Sequence, residues 1–78
     1  MNTDMKRLSD VDMISPLVPF LIEYHRIKKL LSHAEVSDAT GISIKTIRMI
    51  EQSYYVPTRT EWESLVNLLD TPQGNSDD

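Results

Sequence analysis

The sequence predicts an all-α fold, a compact bundle of four to five helices. Apolar residues recur every three or four positions in several segments, which is the spacing of one helix face. There is almost no strand signal, and prolines, glycines and hydroxyl residues stand where helices begin and end. At 78 residues the chain makes one domain, small enough that its single core would gain from burial against a second subunit.

The composition argues against several classes of function. There is no cysteine, and His25 and His33 are separated along the chain without an adjacent carboxylate cluster, so we expect no disulfide and no metal site. Gly41 and Gly74 are the only glycines, so the chain has no glycine-rich phosphate loop. We expect no catalytic residue and no cofactor. No apolar run suits a membrane span or a signal peptide, which predicts a cytoplasmic protein.

Charge is distributed unevenly along the chain. The net charge is −4, and an acidic balance by itself argues against a nucleic-acid partner. Residues 60–78 carry only negative charges, whereas residues 23–59 carry six positive and four negative side chains. The middle of the chain is therefore cationic between acidic ends.

The first half of the chain predicts a weakly ordered segment and one long helix. Residues 1–14 form an N-terminal segment that is frayed at its start, with a short helical turn near 10–14, and it is a candidate part of a dimer interface. A helix over 16–31 begins at Pro16, or restarts at Pro19. Its predicted inward stripe is Phe20, Leu21, Tyr24, Ile27, Leu30 and Leu31. Its predicted outward residues are Glu23, Arg26, Lys28 and Lys29, with His25 on the surface as well.

Two short helices follow, joined by a glycine. Ser32 caps a helix over 33–40 that turns Val36 and Ala39 inward. Gly41 then takes the left-handed conformation, and Ile42 enters the core. Ser43 caps a third helix over 44–52, whose inward residues are Ile47 and Ile50.

The end of the chain predicts one more helix and a tail. Thr58 or Thr60 caps a helix over 59–69 after the loop SYYVPTRT. The inward stripe of this helix is Trp62, Leu65, Val66 and Leu69. Residues 15–70 thus form the predicted domain, and residues 71–78 a disordered acidic tail.

Two short helices joined by a Gly-Ile-Ser turn form a helix-turn-helix arrangement. The stretch AEVSDATGISIKTIRMIE resembles the motif of phage repressor and Cro-type (XRE-like) DNA-binding proteins, and the likeness covers about residues 20–70. The residues that carry it are Ser37, Gly41, Ile42, Ser43, Ile47 and Ile50-Glu51. Ser37 and Thr40 depart from the family, which usually has a small apolar residue and a leucine there, and we expect the family's usual fifth helix to be absent. The resemblance implies a lambda repressor-like fold.

The resemblance also implies which residues meet DNA. A recognition helix lies in the major groove with its first residues at the base edges. The base-reading positions are then Ile44, Lys45, Arg48 and Met49. Lys45 and Arg48 can bond to guanine, and Ile44 can contact thymine methyl groups. The predicted phosphate contacts are His33, Ser43, Thr46, Tyr54, Tyr55 and Arg59.

Most of these residues also have a structural interpretation. Lys45 and Arg48 also suit a solvated helix face, and Ile44 suits the core or a protein interface. Met49 suits a gap in the core. The remaining alternatives are packing against the fourth helix for Tyr54 and Tyr55, and an exposed helix start for His33.

The sequence therefore predicts a sequence-specific, double-stranded DNA-binding transcriptional regulator. We expect a small repressor from a phage, plasmid or other mobile element, bound to an inverted-repeat operator as a homodimer, with helix 44–52 in the major groove. The candidate dimer surfaces are the N-terminal segment, which we favour, and the end of the fourth helix at Leu65, Leu68 and Leu69. The alternative function is an acidic helical module, antitoxin-like or an adaptor, that binds a partner protein.

Overall fold

The computed structural model describes residues 6–70. Within this range the chain forms a 3₁₀ turn (Leu8–Asp10) and four α-helices: α1 (Val18–Lys28), α2 (His33–Thr40), α3 (Ile44–Glu51) and α4 (Arg59–Leu69). No strand is present in residues 6–70. The predicted all-α bundle is therefore confirmed. The predicted acidic tail and residues 1–5 of the N-terminal segment lie outside the described residues.

One apolar core lies where these elements meet. Its buried members are Leu8, Val18, Leu21, Ile22, Val36, Ile42, Ile47, Ile50, Trp62, Leu65 and Leu69. The inward residues predicted for α3 are confirmed, as are those of α4 except Val66, which is only partly buried. Both α1 and α2 pack against α3 and also against α4. Because two helices hold α3 from one side, its opposite side is left open.

The N-terminal segment contributes to this core. Leu8 is fully buried, and the predicted fraying near this residue is wrong. The Asp70 carboxylate, just past α4, accepts hydrogen bonds from the backbone N–H groups of Leu8 at 2.9 Å and Ser9 at 3.0 Å. The turn therefore forms at Leu8–Asp10 instead of near 10–14, because a carboxylate 62 residues away along the chain holds it there.

The first helix is shorter than predicted, Val18–Lys28 instead of 16–31. At its start the Ser15 hydroxyl accepts the Leu17 N–H at 3.1 Å, which leaves Pro16 outside the helix. At its end Leu30 has a φ of 61°, and the Leu31 N–H reaches back to the Arg26 carbonyl at 3.0 Å. This is the Schellman ending that normally uses glycine, so the sequence carried no signal for it.

The predicted inward face of α1 is only partly right. Leu21 is buried and Leu31 packs against the core as predicted. Phe20, Ile27 and Leu30 are instead exposed, and Val18, Ile22 and His25 are buried in their place. The helix α1 is therefore apolar on two faces, and the spacing of its apolar residues alone does not show which face is buried. His25, predicted on the surface, is buried with its Nε2 donating to the Lys6 carbonyl at 2.8 Å.

The turn between α2 and α3 follows the prediction closely. Ser32 and Glu35 form a reciprocal capping box at the start of α2, and Gly41 has a φ of 79°. Thr40 adds two hydrogen bonds that a leucine, usual at this position in the family that the sequence resembles, cannot make. Its hydroxyl donates to the Val36 carbonyl at 2.7 Å and accepts the Ile42 N–H at 3.2 Å. Ala39, predicted inward, is exposed.

Candidate nucleic-acid interface

The two faces of α3 differ in chemistry. Ile47 and Ile50 are buried, with exposed fractions of 0% and 1%, and they fix the helix in the core. Lys45 and Arg48 are exposed on the open side, and neither forms an ion pair within the described part of the chain. Ile44 lies at the start of this side and is 39% exposed. Two cations and an apolar group are thus presented together.

The start of α3 offers hydrogen-bond donors beside those cations. The Ser43 hydroxyl accepts the Thr46 N–H at 3.1 Å and donates to the Thr46 hydroxyl oxygen at 2.9 Å. This arrangement uses the Ser43 proton and leaves the Thr46 proton available to an acceptor. The N–H groups of Ile44 and Lys45 belong to the first turn and have no intrahelical acceptor. A helix start of this kind suits an anionic oxygen.

A buried carboxylate connects three helices behind this surface. Glu51, at the end of α3, accepts hydrogen bonds from Arg26 Nε at 2.8 Å and Arg26 Nη2 at 3.3 Å. A third Arg26 nitrogen, Nη1, donates to the Leu31 carbonyl at 2.9 Å. The side chains of Glu51 and Arg26 are only 7% and 11% exposed. The pair therefore sets the position of α3 against α1.

His33 belongs to the same cluster. It lies at the first position of α2, and its Nε2 is 3.1 Å from Glu51 Oε1. Because a carboxylate only accepts, Nε2 carries the hydrogen in this contact. Arg48 lines the same groove as His33 and Glu51, so the structure brings a predicted base-reading residue and a predicted phosphate contact to one place.

The two tyrosines after α3 differ. Tyr54 is 79% exposed. The Tyr55 hydroxyl instead donates to Glu61 Oε1 at 3.0 Å, in the first turn of α4. That hydrogen bond, with lesser contributions from desolvation and the negative charge of Glu61, raises the pKa of Tyr55 above its usual 10.0. The structural interpretation thus fits Tyr55, whereas Tyr54 keeps an exposed hydroxyl.

The remaining predicted residues lie at the margins. Met49 is partly buried on the side of α3. Arg59 is exposed at the start of α4 and lines a groove with Asp12 and Trp62, separate from the groove that contains Arg48. The structure therefore does not bring Arg59 together with the cations of α3.

Sequence reasoning missed the role of Arg26, which it placed among solvated outward residues. Its partner Glu51 was recognised only as the residue that closes the recognition helix. The two are 25 positions apart, so helical spacing gives no sign of the contact. A glutamate directly after the buried Ile50 was the one available signal, because a carboxylate next to the core needs a cationic partner.

Comparison with known proteins agrees with this geometry. A helix-turn-helix family model matches residues 22–72, more than half of the chain. No curated protein and no solved structure matches it. In residues 6–70, no helix is both long and apolar enough to span a bilayer. The chain therefore belongs to the helix-turn-helix family and is a DNA-binding transcription regulator of the Cro/XRE kind.

Proposed function

We propose that this protein is a small repressor that binds an inverted-repeat operator as a homodimer, with α3 in the major groove. The observation that supports the proposal is the difference between the buried and the open side of α3. Its buried isoleucines fix the helix while Lys45 and Arg48 project together from the open side. Because the core holds the α3 backbone in place, binding has to order these side chains but not the helix that carries them.

The proposal gives each residue a role that follows from its position. Lys45 and Arg48 bond to guanine edges, and the exposed Ile44 contacts a thymine methyl group. Met49, which is half-buried, reaches the groove only at its margin.

Phosphate contacts come from the groups whose donors are not already used. These are the Thr46 hydroxyl, the N–H groups that begin α3, and the exposed Tyr54 hydroxyl. His33 acts by positioning, since its Nε2 donates to Glu51. Ser43 and Tyr55 act by positioning, since their protons bond to Thr46 and Glu61. Arg59 contributes long-range attraction to the polyanion.

The proposed source is a phage, plasmid or other mobile element, and the proposed location is the cytoplasm. The likeness of the turn and of α3 to phage repressors supports the source. An inverted repeat over the promoter of the protein's own gene is the expected operator, because a twofold dimer reads two half-sites about one helical turn apart.

The test begins with a salt titration of binding to random duplex DNA, followed by selection of preferred sites from a random pool. We expect an affinity that falls steeply with salt, since neutralised phosphates release counterions. The selected sites should contain an inverted repeat. A protein that binds no duplex at low salt is not a DNA-binding regulator, and the alternative of a protein-binding module would then be favoured.

A further inference from the structure

The outer side of α1 is apolar although no other element of residues 6–70 covers it. Leu17, Phe20 and Ile27 are 49%, 52% and 53% exposed, and Tyr24 between them is half-buried. We call these four residues the outer ridge. The rings of Phe20 and Tyr24 are stacked, with centroids 6.2 Å apart, so the ridge is continuous. A surface helix of a monomer normally has one apolar stripe, and α1 has two.

The outer ridge has the spacing of a seam between two helices. Its members follow one another at intervals of three, four and three residues, which is the alternation of a and d positions in a heptad. Of the residues that α1 buries in its own core, Val18, Ile22 and His25 occupy b and f positions away from the seam, and Leu21 occupies an e position at its edge. The seam therefore faces away from the core, where another helix can reach it.

Leu30 is an exposed apolar residue just past α1, and it is held there at an energetic cost. It lies two residues after Lys28, has a φ of 61° and is 83% exposed. A residue with a Cβ resists this conformation, and glycine or asparagine would adopt it more easily. Strain of this kind is a reason to look for a function of the side chain.

The core already uses most of the apolar residues of the two dimer surfaces expected from the sequence. Leu65 and Leu69 are buried in the core, and Leu68 packs against it. In the N-terminal segment Leu8 is buried, whereas Ile14 is 73% exposed and lies near the start of α1. In the N-terminal segment, Ile14 therefore offers one exposed apolar side chain near α1, which is too little for an interface of its own.

We infer that the outer ridge packs against the outer ridge of a second copy, with the two α1 helices parallel. The charges beside the ridge support this arrangement. Glu23 occupies a g position and Lys28 the following e position, and a parallel pair of helices places these two positions opposite each other. Glu23 then meets Lys28 of the partner subunit, and the same contact forms a second time by symmetry. An antiparallel pair would set Glu23 against Glu23 and Lys28 against Lys28.

Both charges are available for these contacts. Neither Glu23 nor Lys28 forms an ion pair within residues 6–70; Lys28 only approaches the Tyr24 ring, at 5.9 Å from its centroid. The inference rests on the proposed function, since it names the surface through which the proposed homodimer forms.

The parallel arrangement is compatible with binding one duplex. A twofold axis parallel to α1 keeps each element at the same height in both copies, so the two α3 helices lie at the same level along the axis. The C-terminal end of α1 leads within five residues to His33, at the start of α2.

Sedimentation equilibrium of the full chain tests the inference. At about 1.5 Å per residue α1 is roughly 16 Å long, so the interface is small and we expect a dimer in the micromolar range. Glu23→Lys and Lys28→Glu each replace two attractive contacts by two repulsive ones and should raise the dimer Kd about tenfold. The double exchange, and an equimolar mixture of the two single variants, should restore dimerisation. Glu63→Lys, an equal change of charge on the exposed side of α4, should leave it unchanged.

Two results would overturn the inference: a parent chain that stays monomeric at hundreds of micromolar, or single variants that dimerise as the parent does. Phe20→Ser, with a thermal midpoint near that of the parent, checks the apolar part of the interface and should also weaken the dimer. Binding of the same samples to random duplex DNA separates the two proposals. DNA binding by a persistent monomer refutes only the inference, and a dimer that binds no DNA refutes only the proposed function.

Discussion

The helices α1 and α3 share one core, yet they present opposite chemistry to the outside. The open side of α3 carries Lys45 and Arg48, and the open side of α1 carries the apolar outer ridge. Exposed cations gain by meeting a polyanion, whereas exposed apolar side chains gain by leaving water. A small domain can therefore divide two kinds of contact between two helices.

The buried contact between Arg26 and Glu51 links these two helices. It ties the last turn of α1 to the end of α3, so the orientation of one surface depends on the other. If α1 forms the dimer and α3 reads DNA, this ion pair transmits the geometry of the dimer to the spacing of the two recognition helices.

The largest expected effect comes from comparing isoleucines on the two helices. Ile47→Ala removes a fully buried side chain of α3 and should lower the free energy of unfolding by about 2–5 kcal/mol. Ile27→Ala changes an exposed residue of the outer ridge and should alter the free energy by no more than about 0.5 kcal/mol, while weakening the dimer. Denaturant unfolding at low protein concentration measures the free energy of unfolding of both variants. Equal losses of free energy would mean that Ile47 and Ile27 do not differ in their contribution to the core.

Breaking the link between the helices should have the next largest effect. Glu51→Ala leaves the Arg26 charge buried without its partner and should destabilise the fold by about 3 kcal/mol. Replacing Arg26 and Glu51 together by methionine removes both charges and should cost less than the single change. Thermal unfolding of both variants measures this difference in stability, with Glu63→Ala as a control at an exposed position. A double variant less stable than Glu51→Ala would contradict the importance of the unpaired charge.

The turn that directs α3 should respond more modestly. Gly41 has a φ of 79°, and a Cβ at this position would meet no atom within 4 Å, so a substitution acts through the backbone alone. Gly41→Val should destabilise by about 1–2 kcal/mol. Gly41→Asn is the matched control, because asparagine tolerates the left-handed region better. Equal midpoints for valine and asparagine in thermal unfolding would remove the backbone explanation.

The smallest effect concerns the loop after α3 and appears only at high pH. The Tyr55 hydroxyl bonds to Glu61, and the pKa of Tyr55 is raised above 10.0. The folded protein therefore holds this proton more tightly than the unfolded chain, so the stability is present below pH 10 and is lost as pH rises through the folded pKa. Unfolding of the parent and of Tyr55→Phe across that range should show a steeper loss in the parent. If the stability of the two proteins falls equally with pH, the hydrogen bond between Tyr55 and Glu61 makes no pH-dependent contribution to stability.

The part of the fold that could be predicted is the part whose signals are local. Ser32 and Thr58 each meet a glutamate three residues later in a capping box, and Gly41 ends α2 as expected. Such signals need only a few neighbouring residues, so they are readable without tertiary structure. The outward position of Lys45 and Arg48 followed from the same local pattern.

The rest depended on contacts between distant residues. On α1, Val18 and Ile22 face the core and the outer ridge faces away from it. Because both faces are apolar, the sequence did not show which of them is buried. Leu30 ends that helix with a positive φ, a conformation that the presence of a leucine does not predict. The contacts of Glu51 with Arg26 and His33 join residues 25 and 18 positions apart, beyond any helical period.

Competitive binding to a selected operator tests most directly whether the open side of α3 reads DNA. Lys45→Ala and Arg48→Ala should each weaken specific binding by about 1–3 kcal/mol, with the thermal midpoint nearly unchanged because both side chains are exposed. Arg7→Ala is the matched control: it removes an exposed positive charge from the N-terminal segment and should leave specific binding nearly as it was. If both α3 variants bind the operator as tightly as the parent and Arg7→Ala do, α3 is not the recognition helix.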